Sequence, residues 1–172
     1  MDTIQTQEMS EWCWIALACS ISEVRRGELT SQEDLVQSLY GPAEPLPNLP
    51  GDIRDALGPC SIGFLPSNAP MVPTSLDDLS RWLSQNNLVA MLLTGGTGPS
   101  AGNHYVLVDA VQPTPKGTAV RVFDPLIGYV PSDELVEPPP RVPVHLVDFA
   151  VLSGQGTYLG RGPILDCVLI PN

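Results

Sequence analysis

Trp12-Cys13-Trp14-Ile15-Ala16-Leu17-Ala18-Cys19 is the stretch that decides the fold. None of its residues is charged, so a helix here has no polar stripe to turn towards water. Such a helix is buried on every face and runs through the centre of a domain. The flanks agree with a helix from about 11 to 26. Ser10 reads as its N-cap, Gly27 as the residue after its last turn, and Arg25 and Arg26 suit the negative end of the dipole.

Working outward, Thr30-Ser31-Gln32-Glu33 reads as a capping box opening a second helix, with Leu35, Val36 and Leu39 as its buried stripe. A proline-dense segment from 41 to 73 follows. Apolar residues recur through it, so it reads as ordered cover with one short helix at 52 to 57. Helical spacing returns at 75 to 83, with Leu76, Leu79, Trp82 and Leu83 on one face. Residues 88 to 93 read as a buried strand, and a glycine-rich loop, expected to be mobile, spans 95 to 102. Strands are expected at 104 to 111 and 118 to 123, joined by a turn at 112 to 117. Further strands are expected at 142 to 152 and 164 to 170. Helices first and an antiparallel sheet afterwards make an α+β layout, and 172 residues fit a single domain spanning 1 to 172.

The formal net charge is −11, with 19 acidic against 8 basic residues. A nucleic-acid backbone or an anionic membrane would repel this chain, so neither is expected as its partner. No apolar run approaches the ~18 residues of a membrane span, and residues 1 to 6 lack the features of a signal peptide. The expected compartment is therefore the cytoplasm, or a target cell reached by an export route that needs no such signal. The four cysteines, at 13, 19, 60 and 167, form no C-x-x-C pair and have no histidine nearby, so no metal site is expected. Cys19, Cys60 and Cys167 read as small buried hydrophobes.

Cys13 is different. It falls in the first turn of its helix, where outward-pointing N–H groups and the macrodipole favour an anion, and the thiolate is the form that attacks. A core cysteine is the bland alternative, and position alone favours it. His104 tilts the balance. It is one of only two histidines, and it opens a strand directly after the glycine-rich loop. A turn centred near 114 and 115 would set Asp124 directly opposite His104, where a carboxylate can hold the imidazole tautomer. Asp109 lies five residues along the same strand, about 16 Å away on the other face, and is the weaker choice. Gln7, six residues before Cys13, could aim its amide at an oxyanion forming beside the sulfur, next to the Cys13 backbone N–H. His145 alternates with Val144 and Leu146 and reads as structural.

These residues resemble a known family. Gln7, then five residues, then Trp12-Cys13-Trp14 resembles the start of papain-like cysteine peptidases. Gly102-Asn103-His104-Tyr105-Val106-Leu107-Val108 resembles their histidine strand, and Val122-Phe123-Asp124-Pro125 resembles the D-P step of compact bacterial members. Those include the effector proteases of plant pathogens and the double-glycine leader peptidases of bacteriocin exporters. The match runs from about 7 to 128. It departs from papain at Glu11-Trp12, where papain has glycine and serine, and at Asp124, where papain has asparagine.

The resemblance implies a papain-like fold and a cysteine endopeptidase with Cys13, His104 and Asp124 as its triad and Gln7 in the oxyanion hole. It implies no cofactor, a protein or peptide substrate, and a preference for cleavage after glycine. A role as a secreted effector or antibacterial toxin domain, with a cognate inhibitor or immunity protein, also follows from it. Gln7 lies so near the start that the domain is expected to come from a longer chain. The same constellation also serves deamidases, transglutaminases and isopeptidases, and a fold that lost turnover would remain a peptide-binding module. A peptidoglycan amidase fits poorly, because the chain and the cell wall are both anionic.

Overall fold

The computed structural model describes residues 1–27, 29–67, 70–85, 87–95, 102–115, 117–129, 140–155 and 158–171. In chain order the elements are β1 (Thr3–Gln5), α1 (Cys13–Arg26), α2 (Gln32–Tyr40), α3 (Ile53–Leu57), α4 (Leu76–Ser84), β2 (Asn87–Leu93), β3 (His104–Thr114), β4 (Gly117–Phe123), β5 (Arg141–Pro143), β6 (His145–Val147) and β7 (Ile164–Pro171). Helices and antiparallel sheets make the chain α+β. It divides into two compact units, Met1–Gly63 with Asp124–Pro143 and Phe64–Phe123 with Val144–Asn172.

In the first unit α1 is buried from Cys13 through Ser22, as a helix without a polar stripe must be. It ends at Gly27, whose φ of 69° is left-handed and whose N–H returns to the Glu23 carbonyl. β1, a strand the sequence did not announce, pairs with β5. Arg141 on β5 forms an ion pair with Glu23 of α1 at 2.5 Å, and this holds the Glu23 carboxyl below its usual range. α2 begins one residue later than expected. Ser31 is its N-cap, its hydroxyl accepting the Asp34 N–H at 3.0 Å.

The second unit is a five-stranded antiparallel sheet in the order β6-β4-β3-β2-β7. Val89, Met91 and Leu93 of β2 join Val106 and Val108 of β3, Val120 and Val122 of β4, and Cys167 and Leu169 of β7 in its core. The period-2 spacing of each set is what one sheet face requires. α4 lays Leu79 on that core, with Leu76, Trp82 and Leu83 packed around it, as its spacing predicts. Ser75 caps α4 by accepting the Asp78 N–H.

Two strand expectations need correction. The segment 142 to 152 is not one strand. Pro143 ends β5, β6 pairs instead with β4, and Asp148 then starts a helical turn by accepting the Ala150 N–H on its carboxylate and the Val151 N–H on its carbonyl. The β3–β4 hairpin is also tighter than the prolines suggested, with Thr114 opposing Gly117 and Pro113 sitting in the ladder opposite Thr118. Proline is tolerated there because β2 pairs with β3 only from His104 to Val108, leaving a neighbour on one side beyond that point. Most of the glycine-rich loop, 96 to 101, lies outside the described residues, and so does the expectation that it moves.

Candidate active site

α1 starts at Cys13, not at residue 11, and Trp12 occupies the N-cap position without a side-chain cap. Ser10 fails as the cap because its hydroxyl accepts the Asn48 amide at 2.9 Å and its carbonyl accepts from Gln7 at 2.8 Å. A tight turn takes its place, closed by the Trp12 N–H on the Met9 carbonyl at 3.1 Å. Cys13 is thus the first helical residue, nearer the positive end of the dipole than a cap at Ser10 would have put it. It is 6% exposed.

The flanking tryptophans are both buried. Trp12 donates its indole N–H to the Pro47 carbonyl at 3.1 Å, and Trp14 donates to the Leu49 carbonyl at 3.2 Å. Gly51 lies under the Trp14 ring, where a Cβ would come within 2.4 Å. Residues 47 to 51 of the proline-dense segment therefore cover α1. Trp14 packs against Gly51 of that cover, and both rings are buried.

Gln7 is buried and tied at both ends. Its backbone N–H donates to the Pro125 carbonyl at 2.9 Å, which joins the leader to the residue after Asp124. Its side-chain NH₂ donates to the Met9 and Ser10 carbonyls, each at 2.8 Å. Two carbonyl neighbours fix which end of the amide is nitrogen. Oε1 then points away from them, buried and with no hydrogen-bond partner among the described residues.

Asp124 is fully buried, at 0% exposure. Its Oδ1 accepts the Leu126 N–H at 2.9 Å and its carbonyl accepts the Ile127 N–H at 3.2 Å, so the Asp-Pro turn orients the carboxylate. Gln7, Cys13 and Asp124 belong to the first unit and His104 to the second. His104 opens β3 opposite Leu93 of β2 and is 3% exposed.

The hairpin register expected for His104 and Asp124 is corrected. It would have set Leu107 against Arg121, whereas Leu107 opposes Phe123, the last pair of the ladder. Direct opposition of His104 and Asp124 within the β3–β4 ladder is therefore absent. At Leu107 the displacement is two residues, and Asp124 lies beyond the end of β4. The ladder register shifts between Val108 and Ala110, at Asp109. The Asp109 carboxylate pairs with the Arg121 guanidinium at 3.2 Å, an anchor for the bulge. His145 pairs with Val122 across the β4–β6 ladder.

The remaining cysteines are free thiols. Burial pushes the Cys19 thiol well up, with Cys60, Glu8 and Asp34 adding to the shift, and its S–H faces the Ser31 carbonyl at 3.7 Å. Burial also raises Cys60, against a hydrogen bond from Ser22 and the charge of Arg26. No group of three or more metal-ligating side chains occurs among the described residues, and no helix among them is long and apolar enough to cross a membrane.

No protein-family model and no curated protein matches the chain.

Sequence reasoning missed Gln32. It is fully buried, its Oε1 accepts the Glu8 N–H at 3.1 Å, and its Nε2 donates to the Thr6 carbonyl at 2.8 Å. A glutamine in the first turn of a helix reads as solvated surface, and nothing local in the sequence contradicts that.

Proposed function

We propose that the chain is a cysteine endopeptidase of the compact papain-like kind. The observation that carries this reading is Cys13 as first residue of a buried helix, in one unit with a buried Asp124 whose Asp-Pro turn is tied to Gln7. A buried carboxylate held by its own turn serves to orient a base, and a cysteine at a helix N-terminus serves as a nucleophile. His104, a buried histidine at a strand start, is the base this reading requires.

In the proposed reaction the Cys13 thiolate adds to a substrate amide carbon, and the carbonyl oxygen becomes an oxyanion. The Cys13 N–H and the Gln7 amide stabilise it. At rest the Gln7 protons are shared with Met9 and Ser10, but an oxyanion is a stronger acceptor than a neutral carbonyl and draws one across. Protonated His104 delivers its proton to the leaving amine as the C–N bond breaks, leaving a thioester. His104 then takes a proton from water, the hydroxide releases the acyl group as a carboxylate, and Cys13 regains its starting state. No step requires a cofactor.

The resemblance alone supports cleavage after glycine and a role as an effector or antibacterial toxin domain, and both remain part of the proposal. The test is to express wild type and Cys13→Ala in a bacterial and a eukaryotic host and to compare new protein termini. Termini that depend on Cys13 are expected in one host. Identical termini from both proteins in both hosts would refute the peptidase reading.

A further inference from the structure

We infer that Gln32 is a positioning residue that acts through Gln7, an inference that rests on the oxyanion role proposed for Gln7. Gln32 lies in the first turn of α2, yet its side chain is fully buried beneath the leader segment. Its amide meets the Thr6 carbonyl at 2.8 Å and the Glu8 N–H at 3.1 Å. Those two backbone groups flank Gln7 and are the pair that a neighbouring β-strand would bond. The amide thus supplies the hydrogen bonds of one rung of a sheet.

Two further contacts complete the clamp. Gln32 Nε2 also reaches Gln5 Oε1 at 3.4 Å, and the Gln5 N–H donates to the Ser20 hydroxyl of α1 at 2.9 Å. Gln7's own N–H is taken by the Pro125 carbonyl. The peptide groups around Gln7 are therefore held by α2, and its N–H by the Asp124-Pro125 turn. With the backbone fixed, the Gln7 side chain has one course, to the Met9 and Ser10 carbonyls just before Cys13. Loss of the Gln32 amide frees the backbone beside Gln7, and a donor displaced by about 1 Å loses much of its value to a transition state.

A merely structural role would lower stability without coupling to Gln7, so the test is a double-mutant cycle joined to hydrogen exchange. Gln32→Met, similar in length but without the amide, is expected to lower kcat about tenfold or more with KM little changed. In a Gln7→Ala background the same change is expected to have almost no effect on kcat, because the group it positions is gone. The Glu8 amide is expected to exchange slowly in wild type and quickly in Gln32→Met, while the α2 backbone keeps its protection. Rapid Glu8 exchange in the wild type, which needs no variant to fold, would overturn the clamp. Independent losses from Gln32→Met and Gln7→Ala would overturn positioning and leave the peptidase reading intact. A wild type without Cys13-dependent cleavage would instead sink that reading, and the catalytic part of this inference with it.

Discussion

Replacing Gly51 with alanine places a methyl carbon 2.4 Å from one atom of the Trp14 ring and 2.6 and 2.7 Å from two others. Ordinary contact begins near 3.4 Å, so ring or backbone must retreat by about 1 Å. The ring has little room to do so. It is 2% exposed, and its indole N–H is held by the Leu49 carbonyl two residues away from the substitution. Overpacking of this kind costs about 1–3 kcal/mol, and rigid anchoring argues for the upper half of that range. Alanine restricts the unfolded chain and returns about 0.4–1 kcal/mol, leaving a net loss of about 2 kcal/mol. For a chain of this size that is a fall in Tm of roughly 4–8 °C. Gly63→Ala is the control, because a Cβ there meets nothing within 4 Å and the backbone is not left-handed. Urea unfolding followed by tryptophan fluorescence and far-UV circular dichroism measures both variants. A Gly51→Ala midpoint equal to that of wild type or of Gly63→Ala would refute the packing of Trp14 on this cover. Trp14 directly follows Cys13, so any Cys13-dependent turnover is expected to fall along with stability.

Asp124→Asn is expected to fold and to lose about four orders of magnitude in kcat, as when the acid of a triad is neutralised, whereas Asp109→Asn is expected to be nearly silent in activity. Assay of both variants checks this, and the reverse ranking sinks the triad. Cys19 makes a prediction at alkaline pH. Its folded thiol titrates above its unfolded value, so the stability it contributes is whole below the unfolded value, near pH 8.5, and drains as pH rises towards the folded one. Urea midpoints from pH 7 to 10 are expected to fall less steeply for Cys19→Ala than for wild type, and brief iodoacetamide treatment of the folded protein is expected to label Cys13 well before Cys19. Equal slopes or equal labelling would contradict those assignments. A peptide library is expected to show glycine immediately before the cut; a bulky residue there would remove the glycine preference and leave the peptidase reading standing.

α1 was legible because a run of apolar residues from Trp12 to Cys19 leaves a helix nothing to turn outward, and that constraint is local. Gly27 and Arg25-Arg26 fixed its end for the same reason, the periodicity of 75 to 83 found α4, and the apolar run 88 to 93 found β2. Its start was not legible. Ser10 has the chemistry of a cap, but Gln7 and Asn48 claim its oxygens, and Asn48 is a competitor 38 residues away. The hairpin register depended on a turn that prolines made look longer than it is, and the sheet neighbours of β3 decided it. The residues from 142 to 152 are rich in Val, Leu and Phe, yet two different sheets and a turn share them, because propensity does not choose a partner. The residues alone put forward Cys13, His104, Asp124 and Gln7 as candidates, since residue type limits which side chains can serve as nucleophile, base or donor. What holds them is a property of the fold. Gln32 reaches the leader, and Pro125 the backbone of Gln7, through hydrogen bonds between segments far apart in the chain, and no local pattern encodes a bond of that kind.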